Sequence, residues 1–250
     1  MIYLYMKNKT PQNDDYLWRK TKGEYDKKTL PFLESLDRYI ESSGSKNRGE
    51  RKETSLLILK SLYHFAADSG YEKMPTALEK DPNGRPCFVG ADINISISHS
   101  EDDIVICYSQ GAEIGVDIED EIDEKRAENL EKRFTDIAKL SPNKKCESPS
   151  EKEENKADET SEIKVGKPKE DCAKIKAFKL FEDEFLPIEL SLSESNFTAK
   201  WTAAEAIMKC DGRGFSALPE LDLLAEKTSV STYTLSRKNA KAYVSIAEKN

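Results

Sequence analysis

Two short stretches in which apolar and polar residues alternate one for one constrain this chain most. Ile93, Ile95 and Ile97 alternate with Asn94, Ser96 and Ser98, and Ile114, Val116 and Ile118 alternate with Gly115, Asp117 and Glu119. A period of two is the mark of a strand with one face buried. Both stretches are therefore expected as strands whose isoleucine and valine side chains pack inward. On the second, Asp117 and Glu119 share the other face, about 7 Å apart at their Cα atoms. Two neighbouring carboxylates repel unless a cation sits between them. That face either lies in solvent as an acidic strip or closes on a positive charge.

Other elements surround these two. Residues 2–6 read as a first strand and Ile104–Tyr108 as a short apolar one, with Gln110-Gly111 as a turn. Thr29-Leu30-Pro31 opens a helix carrying Leu33, Leu36, Tyr39 and Ile40; a proline in the first turn costs little. A second helix is expected from about Glu50 to Asp68, with Leu56, Leu59, Leu62, Tyr63 and Ala66 on one side. A third spans about Ser195 to Cys210 and closes at Asp211-Gly212. Strands return near Thr232–Tyr233 and Ala242–Ile246, so the fold class is α+β. Residues 141–172 are mostly Lys, Glu, Ser, Asn and Pro. Such a stretch cannot bury enough apolar area to offset its ordering entropy, and it reads as a disordered insert, with a solvated helix as the alternative.

Composition narrows the chemistry. A formal charge of −8 argues against a general nucleic-acid binder. No apolar run approaches the roughly 20 residues that span a bilayer, and the opening MIYLYMKNKT lacks a basic leader, so a cytoplasmic protein is expected. The five cysteines are scattered and form no CxxC pair, and there are only two histidines, His64 and His99. Any metal must then be held mainly by oxygen, which points to magnesium, manganese or calcium.

Three further segments have chemical potential. In Trp201–Lys209, Glu205 and Lys209 are four residues apart and share a helical face, as an ordinary surface ion pair or as part of a site. Gly212-Arg213-Gly214-Phe215 is a turn, or a place where backbone approaches closely. Ser96–Ser100 sets His99 among serines at a strand end, either capping a turn or offering donors to a phosphate. Just upstream, Gly84-Arg85-Pro86 holds a cation on a rigid turn.

Taken in order, Gly84–Phe88, Ser96–Ser100, Gly115–Glu119 and Trp201–Gly214 resemble the motifs of the 4′-phosphopantetheinyl transferase superfamily. The length and layout resemble its larger, Sfp-like branch. The resemblance covers about Pro82–Glu119 and Phe197–Leu218, and more loosely Leu130–Phe134 and the helix from Glu50. It implies a pseudo-dimer of two similar α+β halves, 1–108 and 109–250, the second carrying the metal site. A monomer then suffices. It implies that Asp117, Glu119 and Glu205 bind Mg2+, and that Lys209 contacts the coenzyme A diphosphate. Glu205 would also help deprotonate the attacking hydroxyl. Ser98 and His99 would hold the nucleotide phosphates, Arg85 would supply a further cation, and Arg51 or Lys52 would reach the 3′-phosphate. The partner would be an apo acyl, peptidyl or aryl carrier protein, docking near Phe134 and the segment before Trp201.

Three positions depart from the pattern. Ala204 stands where the family has a lysine, a deficit that Arg213 or a lysine of the polar segment could make good. Ser96 replaces an asparagine, and Leu56–Lys60 lacks a common glycine. The alternatives are an inactive homologue that binds coenzyme A or a carrier, and a magnesium-dependent phosphohydrolase on the same carboxylates.

Overall fold

The computed structural model describes residues 1–9, 14–24, 29–42, 48–134, 137, 140–143, 175–237 and 240–249. Nearly all of the expected insert at 141–172 lies outside them. The described chain is an α+β fold. It runs β1 (Ile2–Asn8), α1 (Asp14–Glu24), α2 (Leu30–Glu41), α3 (Arg48–Ser69), β2 (Ala77–Lys80), β3 (Pro86–Val89), β4 (Asn94–His99), β5 (Asp103–Ser109) and β6 (Glu113–Asp120). It continues with α4 (Glu124–Arg133), β7 (Ile175–Phe181), β8 (Glu184–Pro187), β9 (Ser191–Leu192), α5 (Phe197–Asp211), a 3-10 helix (Gly214–Glu220), α6 (Leu221–Glu226), β10 (Ser229–Ser236) and β11 (Lys241–Lys249). No described helix is long and apolar enough to cross a membrane.

The strands form a five-stranded sheet in the order β4-β5-β1-β7-β8, a four-stranded sheet in the order β6-β11-β10-β9, and the β2-β3 hairpin. All pairings are antiparallel except β1 with β7. Strands β7 and β8, which lie C-terminal to residue 109, thus extend the sheet begun by β1, β4 and β5.

Side-chain alternation builds the layers. On β1, Ile2, Leu4 and Met6 join Val105 and Cys107 of β5, Val116 and Ile118 of β6, and Val244 and Ile246 of β11 in a dry seam between the two sheets. The other face of the first sheet, with Tyr3, Tyr5, Ile106 and Tyr108, packs under α1, α2 and α3. Helix α5 covers the outer face of the second sheet with Ala203, Ala206, Ile207 and Cys210. Each large apolar side chain buried in these layers contributes about 1.5–3 kcal/mol relative to exposure.

Helix α3 departs from the one-sided stripe read from its sequence. Leu56, Leu57, Ile58 and Leu59 are all buried, because α1, α2, β1 and β5 cover the helix on several sides. The polar face of β4 also departs from a simple solvated face. Asn94 Nδ2 donates to Ala112 O at 2.8 Å, Ser96 Oγ accepts from Val116 N at 2.9 Å, and Ser98 Oγ lies 3.4 Å from Ile118 N. The polar side chains of β4 therefore clasp the backbone around β6, joining the edge strands of the two sheets.

Helix α5 is capped at both ends. Asn196 Oδ1 accepts from Ala199 N at 2.8 Å, while its Nδ2 donates to Tyr243 Oη at 2.7 Å. Gly212 ends the helix at φ +88°, a backbone conformation that glycine adopts without steric cost, and its N–H donates to Met208 O and Lys209 O. Replacing Asn196 by alanine is expected to cost about 1 kcal/mol, read as a lowered denaturation midpoint with unchanged slope in urea.

Candidate metal centre

The acidic face of β6 is covered by α5. Gly115 makes this possible: a Cβ there would fall well inside van der Waals contact with Ala206 O and Cys210 N, and 3.0 Å from Cys210 Cα. Helix and strand therefore meet backbone to backbone. Two and four residues farther along β6, Asp117 and Glu119 face the same side, and α5 brings Glu205 and Lys209 to meet them.

Asp117 is 2% exposed. Its Oδ1 accepts from Lys209 Nζ at 2.7 Å and from Ser98 Oγ at 2.7 Å, and Lys209 Nζ also donates to Ser98 Oγ at 2.8 Å. Its Oδ2 is buried with no hydrogen-bond partner. A carboxylate oxygen buried in this way is costly unless a further positive charge or donor reaches it. Among the described residues, one oxygen each from Asp117, Glu119 and Glu205 lie within 4.8 Å of one another.

The electrostatics reflect this crowding. Burial, and then the Asp117 charge, push the Glu119 carboxyl up to about 7; Arg126 and Lys209 pull the other way. Burial and Asp117 likewise push Glu205 up to about 7 against Lys209. An all-oxygen donor set, an orphaned buried oxygen and more negative charge than Lys209 balances together fit a hard divalent cation completed by waters or ligand oxygens.

No protein-family model and no curated protein matches this chain.

The remaining candidates divide into near and far. Ser98 belongs to the carboxylate group through Asp117. Arg85 and Lys209 line one cavity of about 260 Å³, together with Ser96, Gly212 and Gly214. Arg85 Nη1 donates to Cys210 O at 3.3 Å, next to the negative end of the α5 dipole. His99 is held by Thr54 Oγ1, 2.8 Å from its Nε2, and burial pushes its imidazole down to about 4. At neutral pH it offers a hydrogen bond and no charge. Arg51 donates to Tyr39 O and Ser42 Oγ, both at 2.7 Å, and so fastens α3 to the end of α2. Lys52 lines a different cavity, with Trp18, Arg19 and Arg48. The structure therefore gathers Arg85, Ser98, Asp117, Glu119, Glu205 and Lys209, turns His99 toward Thr54 of α3, bonds Arg51 to the end of α2 and sets Lys52 on a separate cavity.

Ala204 is fully buried in the second core cluster, and Arg213 is engaged by Asp211 and Glu220. Phe134 packs against Trp201, with ring centroids 5.5 Å apart, and Phe215 lies beyond Trp201 and is exposed. Sequence reading missed the structural part of Ser96 and the reason for Gly115. The available signal was a glycine on the outward face of an alternating strand, opposite a helix rich in alanine.

A pH dependence follows. Glu119 and Glu205 hold protons more tightly when folded than at their ordinary value of 4.5. Their contribution to stability is complete below that value and is lost as pH rises through 7 in the absence of metal. His99, depressed from 6.5, acts oppositely: its contribution is lost as pH falls below 6.5. A divalent ion would bind the ionised carboxylates in competition with protons. Thermal melts with and without Mg2+ should show a stabilisation that grows from about pH 5.5 to about pH 8. A magnesium shift independent of pH would contradict this.

Proposed function

We propose that this chain transfers the 4′-phosphopantetheine arm of coenzyme A to a serine hydroxyl of an apo carrier protein, with release of 3′,5′-ADP. The observation that carries the reading is the meeting of Asp117, Glu119, Glu205, Lys209 and Ser98 around a buried, unpartnered carboxylate oxygen. The ordered motifs of the 4′-phosphopantetheinyl transferases assign the three carboxylates to magnesium, Lys209 to the diphosphate and Ser98 to the nucleotide phosphates.

Asp117, Glu119 and Glu205 would hold Mg2+. The ion, when bound, polarises the diphosphate and neutralises charge on the leaving group. Lys209, anchored on Ser98 and Asp117, would place its ammonium against the same diphosphate. Arg85, in the cavity shared with Lys209, would contact the anionic substrate through its guanidinium. Glu205, on the same face as Lys209, would take the proton from the attacking serine, directly or through a metal-bound water. The serine oxygen forms a bond to the β-phosphorus while the bond from that phosphorus to the bridging oxygen of the diphosphate breaks, and 3′,5′-ADP leaves.

The layout also supports a pseudo-dimer whose halves divide near residue 108. Strand β1, helix α3 and the β4-β5 hairpin are matched in order by β6, α5 and the β10-β11 hairpin. In each set the last strand of the hairpin pairs antiparallel with the first strand.

The test is mass spectrometry of an apo-carrier panel incubated with the protein, coenzyme A and Mg2+. A mass gain of one phosphopantetheine on at least one carrier is expected. An unmodified panel, under conditions where an authentic transferase labels it, would overturn the reading. Tight coenzyme A binding without turnover would favour an inactive homologue, and phosphate release from nucleotides without a carrier would favour a phosphohydrolase.

A further inference from the structure

The turn between β4 and β5 begins directly after Ser98 and His99, and β6 ends at Asp120, next to Glu119. One side chain grips both. Arg237, in the segment after β10, donates from Nη1 to Asp120 Oδ1 and, at 3.4 Å, to Asp102 Oδ2. Its Nη2 donates to Asp103 Oδ2 and, at 3.3 Å, to Ser100 Oγ. The Arg237 side chain is 17% exposed, and that of Asp103 is 4% exposed.

The same turn is held from its other side by the end of β1. Lys9 Nζ donates to Ser100 O at 2.6 Å and to Glu50 Oε1 at 2.8 Å, Lys9 N donates to Asp102 O at 2.7 Å, and Asn8 Nδ2 donates to Asp103 Oδ1 at 2.6 Å. Those contacts tie the turn to its own sheet. Arg237 ties it to the other one, assisted by Glu101 N, which donates to Asp120 Oδ2 at 3.1 Å. The carboxylates of β6 and the serine and histidine of β4 belong to the two sides of this junction. Ser98 meets Asp117 across its middle, and Arg237 holds the end where the β4–β5 turn meets Asp120.

We propose that Arg237 is a positioning residue that sets Ser98 and His99 against Asp117 and Glu119, and thereby fixes the width of the anion-binding site. The planar guanidinium suits the task, because a fork can serve carboxylates from two elements at once where an ammonium is a single point. The identity of the anion as coenzyme A rests on the transferase reading; the clamp itself rests on the geometry alone.

The experiment uses the full chain carrying Arg237→Lys, with hydrogen exchange and steady-state kinetics as paired readouts. Amides of residues 98–103 and 119–120 should exchange about tenfold faster or more, while those of α5 and the centre of β11 stay unchanged. The KM for coenzyme A should rise about tenfold with kcat within about twofold. Asp120→Asn weakens the β6 side of the clamp, its bonds from Arg237 and from Glu101 N, and should give the same pattern in weaker form, which covers the case where Arg237→Lys does not fold. Unchanged exchange in both regions, or a uniform loss of protection through the whole chain in Asp120→Asn, would overturn the proposal. So would a fall in kcat at constant KM. Should the wild type label no carrier, the transferase reading fails, and the exchange measurement still decides whether Arg237 sets the junction.

Discussion

Glu205→Gln is expected to reduce phosphopantetheine transfer by about 10²–10³-fold and, at the same time, to raise the melting temperature of the metal-free protein. The two effects share one cause. Asp117, Glu119 and Glu205 crowd three carboxylates into a half-buried space that Lys209 alone compensates among the contacts of Asp117. Removing one charge relieves repulsion in the fold without metal and would take one ligand from the proposed Mg2+. The amide keeps the size and most of the hydrogen-bonding capacity of the original, so packing is little disturbed. Carrier mass spectrometry reads the first effect and calorimetric melts at about pH 8 the second, the pH at which the raised carboxyls are ionised. A variant that kept its rate would remove Glu205 from the metal set. One that lost both rate and stability would show that Glu205 holds the fold rather than an ion.

Among the described glycines, Gly115 should be the one that tolerates an added methyl group least. The added Cβ meets the backbone of α5 at Ala206 and Cys210, and neither can rotate away as a side chain would. Strand and helix must separate along the line that carries the carboxylates, at an expected cost of about 3 kcal/mol or more. Glu205 immediately precedes Ala206, so the carboxylate cluster opens as the contact opens. Magnesium-dependent stabilisation should fall together with the denaturation midpoint. A variant of wild-type stability would mean that α5 and β6 do not touch at this residue.

Local pattern gave the elements but not their partners. The alternation at 93–98 and 114–119 is realised in β4 and β6, and the apolar face of β6 packs between the sheets as its sequence implies, while α5 buries Gly115 and Asp117 on the other face as well. The glycine stop at 212 closes α5 where the sequence places it. By contrast, nothing in residues 2–8 or 175–181 says that β1 and β7 pair in parallel, because periodicity reports a strand's faces and not its neighbours. Helices α1 and α4 were missed because both are polar: the one apolar residue described as buried on α1 is Trp18, and most of α4 is exposed. Their helicity comes from packing and capping, such as the Asp123 side chain accepting from Arg126 N, rather than from a stripe.

The site was legible to a similar degree. Asp117, Glu119 and Glu205 are named from the sequence because their segments resemble known motifs, while charge pattern alone favours a solvated acidic strip. Arg237 could not be found, since an isolated arginine near the end of a strand has no local signature. Its meaning lies in Asp102, Asp103 and Asp120, which only the folded chain brings to it. Arg51 and Lys52, placed at the substrate by a loose alignment, lie elsewhere in the described fold: Arg51 bonds to Tyr39 O and Lys52 lines a separate cavity.

The most direct test is diffraction from crystals grown with coenzyme A and Mn2+, recorded at the manganese absorption edge. An anomalous peak held by Asp117, Glu119 and Glu205, with diphosphate oxygens of coenzyme A against it and Lys209 alongside, is the predicted result. Coenzyme A bound with no peak at these three carboxylates, or a peak held by other residues, would contradict the account.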